Sequence, residues 1–123
     1  MRWDWWCAMT DLETFAAATM EALYFTDTGE EDQPSRDAIL APETLANLYA
    51  DCRSFWRLFG CYVEAAEMTP AQAGHDFWLT RNGHGAGFWD GDWPEPYADM
   101  LTKGAKCYGE FETYLGDDGF IYA

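Results

Sequence analysis

The stretch Ala73-Gly74-His75-Asp76-Phe77-Trp78-Leu79-Thr80-Arg81-Asn82-Gly83-His84-Gly85-Ala86-Gly87-Phe88-Trp89-Asp90 decides how the second half of the chain is read. Asn82-Gly83 at its centre is a strong hairpin signal, because a type I′ turn needs positive φ at both central residues. The aromatic-rich runs on either side, Asp76 to Arg81 and Ala86 to Asp90, read as paired strands. Just upstream, Thr69-Pro70 reads as a cap followed by a first-turn proline, so a short helical turn is expected, stopped by Gly74. Downstream, Gly91 to Pro96 reads as a loop. Tyr97 to about Tyr108 reads as a helix with Tyr97, Met100, Leu101 and Ala105 inward. Glu110 to Leu115 and Phe120-Ile121-Tyr122 then pair as a second hairpin around Gly116-Asp117-Asp118-Gly119.

The first half reads as helical. Leu12, Phe15, Ala16, Thr19, Met20 and Leu23 recur at three and four, which predicts a helix over 11–25 capped by Thr10 or Asp11. The Trp-rich residues 1–10 pack as an arm or run into that helix. A second helix is expected over 42–67, with Pro42 in its first turn. Its stripe is Leu45, Leu48, Tyr49, Cys52, Phe55, Trp56, Phe59 and Val63, and Gly60 bends or ends it. The acidic, turn-rich 26–37 lies between them. The expected fold class is therefore α+β: N-terminal helices (11–25 and 42–67) packed on a small antiparallel sheet built as hairpin-helix-hairpin. All 123 residues form a single domain, with a helical part (1–68) and a ββαββ-like part (69–123).

Composition narrows the function classes. With 49% hydrophobic and 18% aromatic residues the chain can offset its ordering entropy, which excludes disorder for most of it. Twenty-two acids against seven Lys and Arg give a net charge of −15, which argues against direct binding to nucleic acid or an anionic membrane. No segment reaches the roughly 18 apolar residues of a membrane span, and Asp4 interrupts the N-terminus where a signal peptide would be apolar. Cys7, Cys52, Cys61 and Cys107 match neither a zinc module nor a disulfide framework, and read as small core hydrophobes in a reducing cytosol.

Both histidines, His75 and His84, lie in the central stretch near Asp76, Asp90 and Asp92, and could in principle bind metal or act as acid and base. On a hairpin, however, His84 stands at the tip and His75 and Asp90 at the open end, roughly 15 Å apart. Neither a catalytic residue, a metal site nor a cofactor is assigned, and the protein is read as not an enzyme. His75 and Arg81 are expected to make local hydrogen bonds, and the alternating Gly83, Gly85 and Gly87 to let aromatic rings lie close. Asp117-Asp118-Gly119 reads as a plain turn.

The charge itself is the remaining signal. A domain of this length is roughly 35 Å across, and B-DNA of that span carries about 20 phosphates. A net charge of −15 is of that order, so the fold could occupy a basic nucleic-acid-binding groove.

The central stretch resembles a run found in small, uncharacterised, acidic proteins of bacteriophages and plasmids, and Gly116-Asp117-Asp118-Gly119-Phe120-Ile121-Tyr122 resembles their ending. The likeness spans roughly 69–123. It implies a mobile-element protein acting in the bacterial host cytoplasm, and by analogy an inhibitor of a host defence complex. The expected partner is a host protein with a basic nucleic-acid-binding surface, such as a CRISPR effector subunit or a restriction enzyme. Its contacts would come from Asp27, Glu30, Glu31, Asp32, Asp90, Asp92, Glu110, Glu112, Asp117 and Asp118. The alternatives are a phage regulatory or structural interaction module without DNA mimicry, and a small His/Asp metal-binding enzyme.

Overall fold

In the computed structural model the described residues are 2–26, 39–83, 87–89 and 92–123, with side chains at 11–24 of the first segment and throughout the rest except at 115. The elements run α1 (Arg2–Thr26), β1 (Ile39–Leu40), α2 (Pro42–Ala65), α3 (Pro70–Arg81), α4 (Tyr97–Lys106), β2 (Tyr114–Leu115) and β3 (Phe120–Tyr122). The first helix thus includes the Trp-rich residues 2–10. The second continues straight through Gly60, where the Trp56 indole lies in the space a side chain would take.

The expected α+β fold, with an antiparallel sheet built as hairpin-helix-hairpin, is overturned. The first hairpin does not exist. Thr69 does cap a helix, its hydroxyl accepting from the Gln72 N–H at 3.1 Å, but that helix runs on through Gly74 to Arg81. The reason is helical spacing in the burial. Ala73, Phe77 and Arg81, Gly74 and Trp78, and Asp76 and Thr80 are pairs or triplets four apart, and all are buried. Gly74 is where α3 crosses α1, and a methyl there would meet the Phe15 carbonyl oxygen and lie 2.7 Å from Ala18 Cβ. Glycine here permits a close helix crossing instead of ending the helix.

Asn82-Gly83 then serves as a helix stop. Asn82 is the C-cap and Gly83 follows at φ +71°, the left-handed conformation that glycine adopts without a Cβ penalty. The expected return strand is a turn over 87–89. The Phe88 N–H donates to Thr80 Oγ1 at 3.1 Å and fixes that turn on α3, burying Phe88 and leaving Trp89 exposed. Residues 84–86 and 90, also assigned to that hairpin, lie outside the described residues.

The sheet that does form has three short strands in the order β1-β3-β2. β2 and β3 are antiparallel around the 116–119 turn, pairing Tyr114 with Tyr122 and Leu115 with Ile121. β1, between the expected acidic loop and the second helix, pairs parallel to β3, Ile39 with Phe120 and Leu40 with Ile121. The N–H of Ala41 extends that ladder to the Ile121 carbonyl at 2.9 Å. Leu40 and Ile121 are buried inward.

The core is aromatic. Phe15 of α1, Phe55 of α2 and Phe77 of α3 form a triangle of rings with centroids 5.6, 4.4 and 5.4 Å apart. Each such pair adds about 1 kcal/mol beyond its buried area. Leu101 and Ala105 of α4 are also buried in it, Tyr97 packs half-buried against it, and Met100 is half-buried. Among the described residues, no helix is long and apolar enough to cross a membrane.

Candidate functional site

Asp76 and His75 part company on α3. Asp76 is buried, accepting from the Trp93 indole N–H at 2.6 Å and from the Gln72 amide at 3.0 Å. It anchors the 92–96 loop to α3. His75 points the other way, half-buried, with Nε2 4.0 Å from the exposed Glu21 carboxylate of α1. His84 and Asp90 lie outside the described residues. Among the described residues there is no group of three His, Cys, Asp or Glu able to hold a metal.

Arg81 is the residue whose role the sequence concealed. Its hydrogen bonds are long-range, which corrects the expectation of local ones. Its side chain is 2% exposed, with Nη2 3.0 Å from Asp51 Oδ2 of α2. Nε donates to the Gly109 carbonyl at 2.9 Å and Nη2 to that of Tyr108 at 3.1 Å. The rings of Phe77, Tyr108 and Phe111 stand 5.2–5.7 Å from its Cζ. Asn82 works beside it, accepting from the Phe111 N–H at 2.8 Å while its amide donates to Trp78. Together they tie the end of α3 to the segment after α4, and so set where the C-terminal hairpin starts.

The cysteines also divide. Cys52 is buried, and burial pushes its thiol up to about 12, so it holds its proton and is a poor nucleophile. Cys61 and Cys107 are exposed, against the expectation of core residues. The side chain of Cys7 lies outside the described residues.

The acids are almost entirely at the surface. Of those whose side chains are described, all but Asp51 and Asp76 are exposed. Among the described residues, the Lys or Arg pairs to acid are Arg81–Asp51 and the exposed Lys103–Asp99. Four of the expected contact residues, Glu110, Glu112, Asp117 and Asp118, gather on the C-terminal segment around the sheet, where no Lys or Arg follows Lys106. Asp92 is exposed in the loop before α4. Asp27, Glu30, Glu31, Asp32 and Asp90 lie outside the described residues.

The C-terminal hairpin is held by its own side chains. Asp118 Oδ1 accepts from the Phe120 N–H at 3.0 Å and Oδ2 from the Tyr122 hydroxyl at 2.6 Å. The Tyr122 hydrogen bond, then that of Phe120, keeps the Asp118 carboxyl below its ordinary range, and the Tyr122 phenol is raised in return. Tyr122 stacks on Tyr114 with centroids 5.8 Å apart, and its ring lies over Gly116, where a Cβ would collide with it.

With Leu40 and Ile121 turned inward, the outer face of the sheet consists of Ile39, Tyr114, Phe120 and Tyr122. Ile39 is 65% exposed, Tyr114 56% and Phe120 37%. Sequence reasoning missed this face. The available signal was that Phe120-Ile121-Tyr122 offers no polar residue to either side. A cleft of about 400 Å³ beside it is lined by Asn47, Glu110, Phe111, Glu112, Tyr114 and Ala123.

A second surface differs in sign. Arg53 and Arg57, exposed and one turn apart on α2, line a cleft of about 430 Å³ with Ala50, Ser54 and Leu58. No family model matches the chain, and no curated protein or solved structure matches it either.

Proposed function

We propose that this is a binding protein that occupies a basic, nucleic-acid-binding surface of another protein through its own acidic surface, blocking nucleic-acid entry. The observation that carries this reading is the exposure of every described acid except Asp51 and Asp76, with few cations to neutralise them. A surface of that kind attracts basic grooves at long range and repels nucleic acid itself. The resemblance of 69–123 to phage and plasmid proteins makes a host defence complex, a CRISPR effector or a restriction enzyme, the target class, with the host cytoplasm as the place of action.

The test is affinity capture from bacterial lysate with the tagged full chain, followed by challenge with duplex DNA and with salt. The expected result is a captured nucleic-acid-binding protein released by DNA and by raising salt from about 50 to about 500 mM. Capture of no such protein, or binding indifferent to both challenges, overturns the reading.

A further inference from the structure

We propose that the outer face of the sheet, Ile39, Tyr114, Phe120 and Tyr122, is the apolar centre of a protein-docking surface whose occupant is an arginine-bearing basic protein surface. This inference rests on the functional reading above and names where and through which side chain the partner is gripped.

Protein interfaces combine an apolar, aromatic centre with a polar, solvent-accessible rim. The sheet face has that layout. Its centre is three exposed or half-exposed rings and an isoleucine in adjacent register. Its rim is acidic: Asp117 and Asp118 in the turn, Glu110 and Glu112 in the irregular segment leading into β2, and Glu43 at the head of α2, whose charge acts on the Tyr122 hydroxyl.

Charge selects among the possible occupants. A second copy meeting the same face would set each carboxylate rim against its twin, because a two-fold interface brings identical patches together. An anionic membrane or a nucleic acid is repelled in the same way. A basic protein surface is attracted by the rim. Arginine fits the centre better than lysine, since a guanidinium plane stacks on aromatic rings while its N–H groups reach carboxylates. The chain contains its own example of that preference. Arg81 sits among Phe77, Tyr108 and Phe111 while pairing with Asp51. Outside, Tyr114, Phe120 and Tyr122 present rings, the rim acids present carboxylates, and none of the residues forming the face is a cation.

The experiment titrates the full chain with an oligo-arginine peptide and an oligo-lysine peptide of equal length, read by amide NMR shifts and by calorimetry. The arginine peptide is expected to bind about fivefold more tightly, with its largest shifts at Ile39, Tyr114 and Phe120 to Tyr122. Ile39→Ser and Tyr114→Ser, each at an exposed site and checked for an unchanged melt, should remove the arginine preference while leaving lysine binding. Leu58→Ser, at an equally exposed leucine on α2, should change neither. Equal affinities with shifts spread over all acids, or a concentration-dependent dimer abolished by Tyr114→Ser, overturn the proposal. The two readings fail separately. If a DNA-releasable protein is captured but Tyr114→Ser leaves its binding unchanged, the docking face is wrong and the function stands. If the arginine preference maps to the face but no captured protein is released by DNA, the function is wrong and the face stands.

Discussion

The environment of Arg81 and the outer face of the sheet are made of the same chemistry turned inside out. Around Arg81, aromatic rings and one carboxylate enclose a cation that is 2% exposed. At the sheet, aromatic rings and several carboxylates face solvent with no described cation among them. The contrast teaches what each region contributes to the fold. A buried cation contributes only while every partner stays in place, because the desolvation cost is large and mostly offset. At the sheet the rings hold their own hairpin, and the apolar area they leave in water adds nothing more until something covers it.

Removing the cation is the most disruptive way to break this comparison. Arg81→Met leaves Asp51 unpaired and two carbonyls without donors, and should cost about 4 kcal/mol in chemical denaturation. Arg81→Lys should recover only part of that, because a single ammonium cannot serve Asp51, Tyr108 and Gly109 in the same geometry.

The same small substitution made in each region comes next. Gly74→Ala pushes a methyl into the backbone of α1 and should cost about 3 kcal/mol. Gly116→Ala meets the Tyr122 ring and the Asp118 carboxylate, both side chains at the surface that can swing outward, so its loss should be far smaller. Equal losses would mean that the sheet end is as tightly packed as the interior.

Alkaline pH sharpens the contrast further. Below the ordinary thiol value of 9.0, Cys52 is protonated in both folded and unfolded chains and imposes no pH dependence. Above it the unfolded chain loses the proton while the native chain keeps it up to about 12. Stability should therefore fall across that window, by at most about 1.4 kcal/mol per pH unit from this group. Denaturation curves at stepped pH check this, and Cys52→Ala should flatten the part due to the thiol.

The smallest effect belongs to the hairpin. The Asp118 carboxyl is held below its ordinary 3.8, so its contribution is present above that value and is lost as pH falls through the lowered one. Tyr122→Phe removes the first cause of the shift. In an NMR titration the Asp118 midpoint should then move back up, with little change in the melt.

How much of this was legible beforehand differs between elements for physical reasons. The core face of α1, the extent of α2 over Pro42–Ala65 and the α4 helix follow from three-four spacing, which tertiary context rarely overrides in long helices. The closing hairpin follows from its own turn residues. Asn82-Gly83 misled because a hairpin turn and a helix C-terminus ask for the same thing, a glycine at positive φ. Gly74 misled because a glycine that stops a helix and one that lets two helices touch look identical in one dimension.

The sequence by itself determined an acidic, aromatic-cored chain and the long helices, since charge, composition and helical periodicity are properties of neighbouring residues. Only the tertiary structure decided that α3 is a helix, that β1 pairs with β3, and that Arg81 is buried against Asp51. Each of these depends on residues tens of positions apart, whose meeting is set by packing around the Phe15–Phe55–Phe77 core and not by local propensity.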